Sequence, residues 1–285
     1  SQKQKNIALE QSKKMQNISK KIGKYIPPQI HEGLFKGLYD TQIKTKRKKL
    51  TIFFSDIKNF TDTSEKLQPE DLTKYLNEYF SEMTTIALNH GATIDKYIGD
   101  AVMLFFGDPN SKGERDDARA CVEMSLRMQE RMIDLREKWK NEGFYSPFEI
   151  RIGLNTGYCN VGNFGSSQRL TYTIIGGEVN VAARLEAAGE AGSILMSYET
   201  YAHVQDMIEA EEKPTVTMKG INREIKVFSI LGRKINYHKK TELKLTKNSL
   251  DKLNNNRNEI IEIKKHMEIL QNKIDILSKK IIDKV

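Results

Sequence analysis

Apolar and polar residues recur along this chain in two periods, and each change of period marks an element. Met15, Ile18, Ile22 and Tyr25 return at spacings of three and four, which predicts a short helix with a narrow apolar seam. The stretch "YIPPQI" ends it, because Pro27 and Pro28 lack amide donors and push their predecessors out of the helical region. Residues 1–26 are expected as a helical lead-in and 27–49 as a connector. Over 50–233 the patterns alternate: a strand at 50–55, a helix at 69–89, a hairpin near 92–97 and 101–106, and a helix at 114–141. A strand at 148–155, strands near 159–163 and 168–174, a helix at 177–187 and a last strand pair near 215–218 and 225–231 follow. This β-α-β-β-α-β order predicts an α+β, ferredoxin-like (palm-like) sandwich, one sheet with helices on one face. Past Lys239, Leu253, Ile260, Ile263, Met267, Leu270, Ile274, Leu277 and Ile281 form a heptad seam with Asn256 inward. Residues 234–285 are therefore expected as a C-terminal amphipathic, coiled-coil helix that either pairs across a dimer axis or folds back onto its own catalytic domain or the lead-in helix.

Charge changes the picture by its placement. The net +8 resolves into +10 over residues 1–49, −8 over 50–233 and +6 over 234–285. An acidic middle excludes a duplex-binding core, which gathers Lys and Arg on the folded face, so no nucleic-acid partner is expected. The run "KTKRKK" (44–49) reads as a solvated linker. No apolar stretch approaches the roughly 18 residues of a membrane span, and no secretory leader opens the chain. Cys121 and Cys159 share no ligand spacing. The expected setting is a cytoplasm, including as the cytoplasmic part of a longer protein.

The candidate chemistry begins where "TIFFSDIKNF" (51–60) puts Asp56 at the end of an apolar strand. Alone, such a residue is a turn former or a helix cap. A second stretch, "DKYIGDAVMLFFG" (95–107), places Asp100 in a two-residue turn between apolar strands, and if the two strands are neighbours the carboxylates converge. Paired strand-end carboxylates suit a divalent cation that carries phosphates. The segment "DIKNFT" adds backbone N–H groups at Ile57, Asn59, Phe60 and Thr61 for a phosphate chain, with Ile57 also counted as a metal position. Asn180 and Arg184 stand four apart in a predicted helix and share a face, either as surface residues or as an amide and a guanidinium aimed at an oxyanion. Gly153, Gly157, Gly162 and Gly165 read as turns and close packing, and Met124, Met128, Met132 and Trp139 as core. None of the five histidines is assigned a role.

"FFSDIKNFT", "KYIGDAVMLFFG", "IRIGLNTGYCNVGNFGS", "YTIIGGEVNVAARLEA" and "VTMKG", in that order over about residues 50–231, resemble the class III nucleotidyl cyclases. The resemblance implies that Asp56 and Asp100 bind two Mg²⁺ or Mn²⁺ ions, that Asn180 orients the ribose, and that Arg184 stabilises the pentavalent phosphorane. It puts Lys219 on the terminal phosphates. Relatives that select adenine carry Lys at the position of Lys96 and Asp or Thr at that of Thr173, where guanylyl cyclases carry Glu and usually Cys. The chemistry agrees, since Lys96 can donate to adenine N1 whereas guanine N1 bears a proton. Gly177 departs from the Asp of many relatives, at a position with no catalytic role in the family. The string "GGEV" also occurs in diguanylate cyclases, but there it is a hairpin, whereas here it runs into a helix. The implied activity is conversion of ATP to 3′,5′-cyclic AMP and pyrophosphate at composite sites of a homodimer, downstream of a sensor domain. A guanylyl cyclase and an inactive cyclase-like module are the alternatives.

Overall fold

The computed structural model describes residues 2–37, 42–217 and 223–234. The heptad seam past residue 250 and Lys219 lie outside them. Helix α1 (Gln2–Ile22) passes through a short 3₁₀ turn into α2 (Pro28–Phe35), which Pro28 opens because its missing donor costs nothing in a first turn. There follow β1 (Thr45–Ile57), α3 (Phe60–Lys66), α4 (Pro69–Asn89), β2 (Thr93–Ile98), β3 (Ala101–Phe106) and α5 (Glu114–Asn141). Then come β4 (Ile150–Gly165), β5 (Leu170–Ile175), α6 (Gly177–Ala188), β6 (Ile194–Ser197), α7 (Tyr198–Val204), β7 (Ile208–Thr217) and β8 (Glu224–Arg233). The long helices and the hairpin lie where periodicity placed them, whereas α2, α3, β6 and α7 are too short to show a period.

The strands form one sheet in the order β2-β3-β1-β4-β6-β8-β7, with β5 paired to the outer half of β4. Side chains alternate across β1, and its two faces carry different layers. Thr51 and Ser55 face the side of α7 and α4, through the Thr51–Thr156–Thr200 hydroxyl chain and Ser55–Tyr79. Trp139 of α5 is fully buried there with Tyr75, Phe144 and Phe148, and Met124, Met128 and Met132 are buried as expected. Leu50, Ile52 and Phe54 face the other side, with Ala182 of α6. Helix α6 therefore departs from the one-face arrangement expected from the sequence, and it lies very close. A Cβ built on Gly153 would stand 2.2 Å from the Glu186 amide nitrogen and 2.4 Å from the Ala182 carbonyl oxygen.

Two expectations are corrected. All but the first residue of the basic run 44–49 is strand rather than solvated linker: β1 begins at Thr45 and pairs with β4 from Thr45↔Gly162 to Ile57↔Ile150. Its cations find partners across the sheet, Lys46 and Lys48 each at 2.7 Å from the fully buried Asp108, and Arg47 over the Tyr158 ring. β4 is one strand of 16 residues, not two. Gly157 does not turn the chain there; its missing Cβ leaves room for the Glu178 side chain, which a Cβ would meet at 2.5 Å.

Candidate active site

Strand register brings the two candidate carboxylates together. Ser55 pairs with Val102, so Asp56, one residue on, reaches the β2–β3 tip, where Ile98↔Ala101 closes a two-residue turn. Gly99 occupies that turn at φ 65°, a conformation that costs glycine little. Asp100 then accepts a hydrogen bond from the Ile57 amide at 3.1 Å. Burial and the neighbouring Asp56 carboxylate push the Asp100 carboxyl up to about 6. A carboxyl that resists ionisation beside a second carboxylate suits a site completed by positive charge.

Asp56, Asp100, the segment Ile57–Asp62 and Arg151 line a cleft of about 410 Å³. Asn59 takes the left-handed conformation at φ 55°, which asparagine tolerates, and so turns the chain from β1 into α3. Ile57, Asn59, Phe60 and Thr61 thus line the same cleft as Asp56 and Asp100. That reading missed Arg151. Its Nη2 donates to Asp56 Oδ2 at 3.0 Å, and its Nε stands 2.7 Å from Glu186 Oε1 on α6. Burial pushes the Glu186 carboxyl up to about 7 against the pull of Arg151, with the Asp56 charge adding to the rise. The one available signal was a cation inside the apolar strand "IRIGL", directly opposite Asp56 in the ladder. Among the described residues no group of three His, Cys, Asp or Glu side chains converges as a metal cluster. A phosphate-bound Mg²⁺ needs only one or two carboxylates, so the Asp56–Asp100 donor set fits such an ion.

Lys96 on β2 and Thr173 on β5, 77 residues apart, meet with Lys96 Nζ 3.1 Å from Thr173 Oγ1. Asp95, not singled out from the sequence, underlies both. It accepts from the Thr173 hydroxyl at 2.6 Å and the Ile174 amide at 3.3 Å, and its other oxygen faces Lys96 Nζ at 3.1 Å. Burial pushes the Asp95 carboxyl up, and the Thr173 hydrogen bond and the Lys96 charge oppose it.

Asn180 and Arg184 are not brought to the carboxylates of their own chain. Val181, Ala182, Leu185 and Glu186 form the buried side of α6, and Asn180 and Arg184 are exposed on the other. Two residues along a helix is a rotation of roughly 200°. With Glu186 held to Arg151, Arg184 points away from Asp56.

A model of the adenylate and guanylate cyclase catalytic domain matches residues 43–232. Among curated proteins, adenylate cyclase 1 of Rhizobium meliloti is 30% identical over 211 residues, 73% of this chain and 31% of that protein. An adenylate cyclase of Mycobacterium tuberculosis is 28% identical over 193 residues, 68% of this chain and 42% of that protein. The chain thus spans well under half the length of these relatives. Of solved structures, the adenylyl cyclase CyaB from P. aeruginosa is 50% identical with TM-score 0.66, covering 68% of this chain and 98% of that one. The guanylyl cyclase Cya2 is 34% identical with TM-score 0.64 over the same shares.

Proposed function

The chain belongs to the adenylate and guanylate cyclase catalytic domain family, and on that premise we propose that it converts ATP to 3′,5′-cyclic AMP and pyrophosphate at sites shared between two copies. The contact of Lys96 with Thr173 carries the choice of base: an ammonium opposite N1 and a hydroxyl beside it suit adenine. Asp56 and Asp100, with Ile57, would hold Mg²⁺ or Mn²⁺, two per site. When bound, such ions acidify the ribose 3′-hydroxyl and neutralise charge on the triphosphate.

The chain's own groups position and stabilise. The cleft segment from Ile57 through Asn59, Phe60 and Thr61 cradles the phosphates, and Arg151 stands beside Asp56 as a further cation on that wall. Lys219 takes the terminal phosphates. From the partner copy, Asn180 orients the ribose so that its 3′-oxygen attacks the α-phosphorus and displaces pyrophosphate. Arg184 offers its planar fork to the charge that grows on the α-phosphoryl oxygens. Two like sites then follow from the two-fold symmetry of a homodimer. The exposed stripe of α6 supports this sharing, because within one chain Arg184 faces away from Asp56.

The activity belongs to an output unit of a longer protein, with α1 and α2 as the joint to a sensor domain, in the cytoplasm. No helix among the described residues is long and apolar enough to cross a membrane. Turnover of ATP and GTP by the isolated chain with Mn²⁺, with the products separated by chromatography, tests the reading. Cyclic AMP and pyrophosphate are expected. Cyclic GMP as the main product, or no product, overturns it.

A further inference from the structure

A threonine hydroxyl by itself does not distinguish adenine from guanine, since it can accept from a 6-amino group or donate to a 6-oxo group. Resting on the adenylyl cyclase reading, we propose that Asp95 is the residue that sets Thr173 as an acceptor and so makes it reject a 6-oxo purine.

Every group that faces the Asp95 carboxylate is a donor. The Ile174 amide and the Lys96 ammonium can only donate, at 3.3 Å to Oδ2 and 3.1 Å from Oδ1. Oδ2, which takes the Ile174 amide, is therefore an acceptor, and the 2.6 Å contact between Thr173 Oγ1 and Oδ2 takes its proton from the threonine, while Oδ1 faces the Lys96 charge. The Thr173 oxygen keeps two lone pairs. Lys96 Nζ, at 3.1 Å, occupies one and leaves the other for an incoming donor. A 6-amino group satisfies it; a 6-oxo group presents a lone pair to a lone pair in a buried place, where an unmet acceptor is costly. Asp95 and Thr173 are both buried, 9% and 6% exposed, so water does not easily take over the hydroxyl proton. Asp95 is a positioning residue: it acts on the base through Thr173.

The test compares kcat/KM for ATP and for inosine triphosphate, which differs from ATP only at N1 and the 6-position. In Asp95→Ala the freed hydroxyl can turn and donate to the 6-oxo group, so the ATP preference should fall about tenfold. In a Thr173→Val background, Asp95→Ala should leave the ratio unchanged, because there is no hydroxyl to release. Asp95→Asn should keep it within about twofold, because the Ile174 amide selects the amide oxygen of asparagine and the Thr173 proton goes to that atom. Should Asp95→Ala not fold, Asp95→Leu, which fills more of the site without an acceptor, reads the same ratio. A drop that persists without the Thr173 hydroxyl would assign the effect to Lys96 and overturn the proposal. Rates that fall together with the ratio held would reduce Asp95 to a structural role and also overturn it. A wild-type protein that makes no cyclic AMP, or that turns over ATP no better than GTP, would instead defeat the adenylyl cyclase reading.

Discussion

Asp56→Ala and Arg184→Ala should each abolish cyclase activity alone and restore part of it when mixed. Asp56 is tied to Arg151, and Arg151 to Glu186 of α6, so the face of α6 turned toward the cleft is the Glu186 face. Arg184, roughly 200° round the helix, can reach a cleft only if that cleft belongs to another copy. In an equal mixture that exchanges freely, half the dimers are mixed. Each mixed dimer has one site with both Asp56 and Arg184 and one with neither, so recovery should approach about a quarter of wild-type activity per chain. Cyclic AMP formation across mixing ratios, with subunit exchange confirmed by differently tagged chains, measures it. The curve should be symmetric about equal parts. A flat baseline after proven exchange would refute the shared site, and activity above about half of wild type would refute the two-site count.

Gly153→Ala should lower both stability and turnover, because the new Cβ meets two backbone atoms of α6 at 2.2 and 2.4 Å and the helix carrying Asn180 and Arg184 has to shift. The cost should be about 1–3 kcal/mol or more in thermal or denaturant unfolding, and Gly177→Ala, with nothing within 4 Å of its Cβ, should be close to neutral in stability. Asp108→Asn should cost about 2–3 kcal/mol at neutral pH, less than a wholly buried pair because Lys46 is 55% exposed. Burial raises the Asp108 carboxyl, but Lys46, Lys48 and Tyr172 outweigh it and hold it below the usual range. Its contribution is thus complete above about pH 4 and is lost as the pH falls through the lower folded value. Unfolding curves of wild type and variant should converge in acid, and a constant gap would show that Asp108 is not the group titrating. Lys96→Glu with Thr173→Cys should move preference from ATP toward GTP by about ten- to a hundredfold, and unaltered ATP selectivity in an active variant would remove these two residues from base recognition.

Local pattern was enough for the elements whose cause is local. The apolar spacing of "PEDLTKYLNEYFSEMTTIALN" and of the amphipathic 114–141 stretch specifies α4 and α5, and Gly99–Asp100 between two apolar runs specifies the hairpin. Asp56 and Asp100 were legible as chemistry because carboxylates stand out at the ends of apolar strands, whereas Lys96 and Thr173 were marked only by the resemblance to the cyclases. Tertiary structure decided what depended on residues distant in the chain. A basic run became strand because β4 offered a ladder and Asp108 a buried counter-charge. Of the turns and close packing expected at the glycines, Gly153 and Gly157 supply the close packing, and the partner they make room for, α6, is set by the tertiary structure. Arg151, 95 residues from Asp56, joined the cleft only through strand register. Asp95 reached Thr173 across 78 residues by the meeting of β2 with β5. A carboxylate's worth depends on the donors and the burial around it, and those are supplied by strands that have no sequence neighbourhood in common.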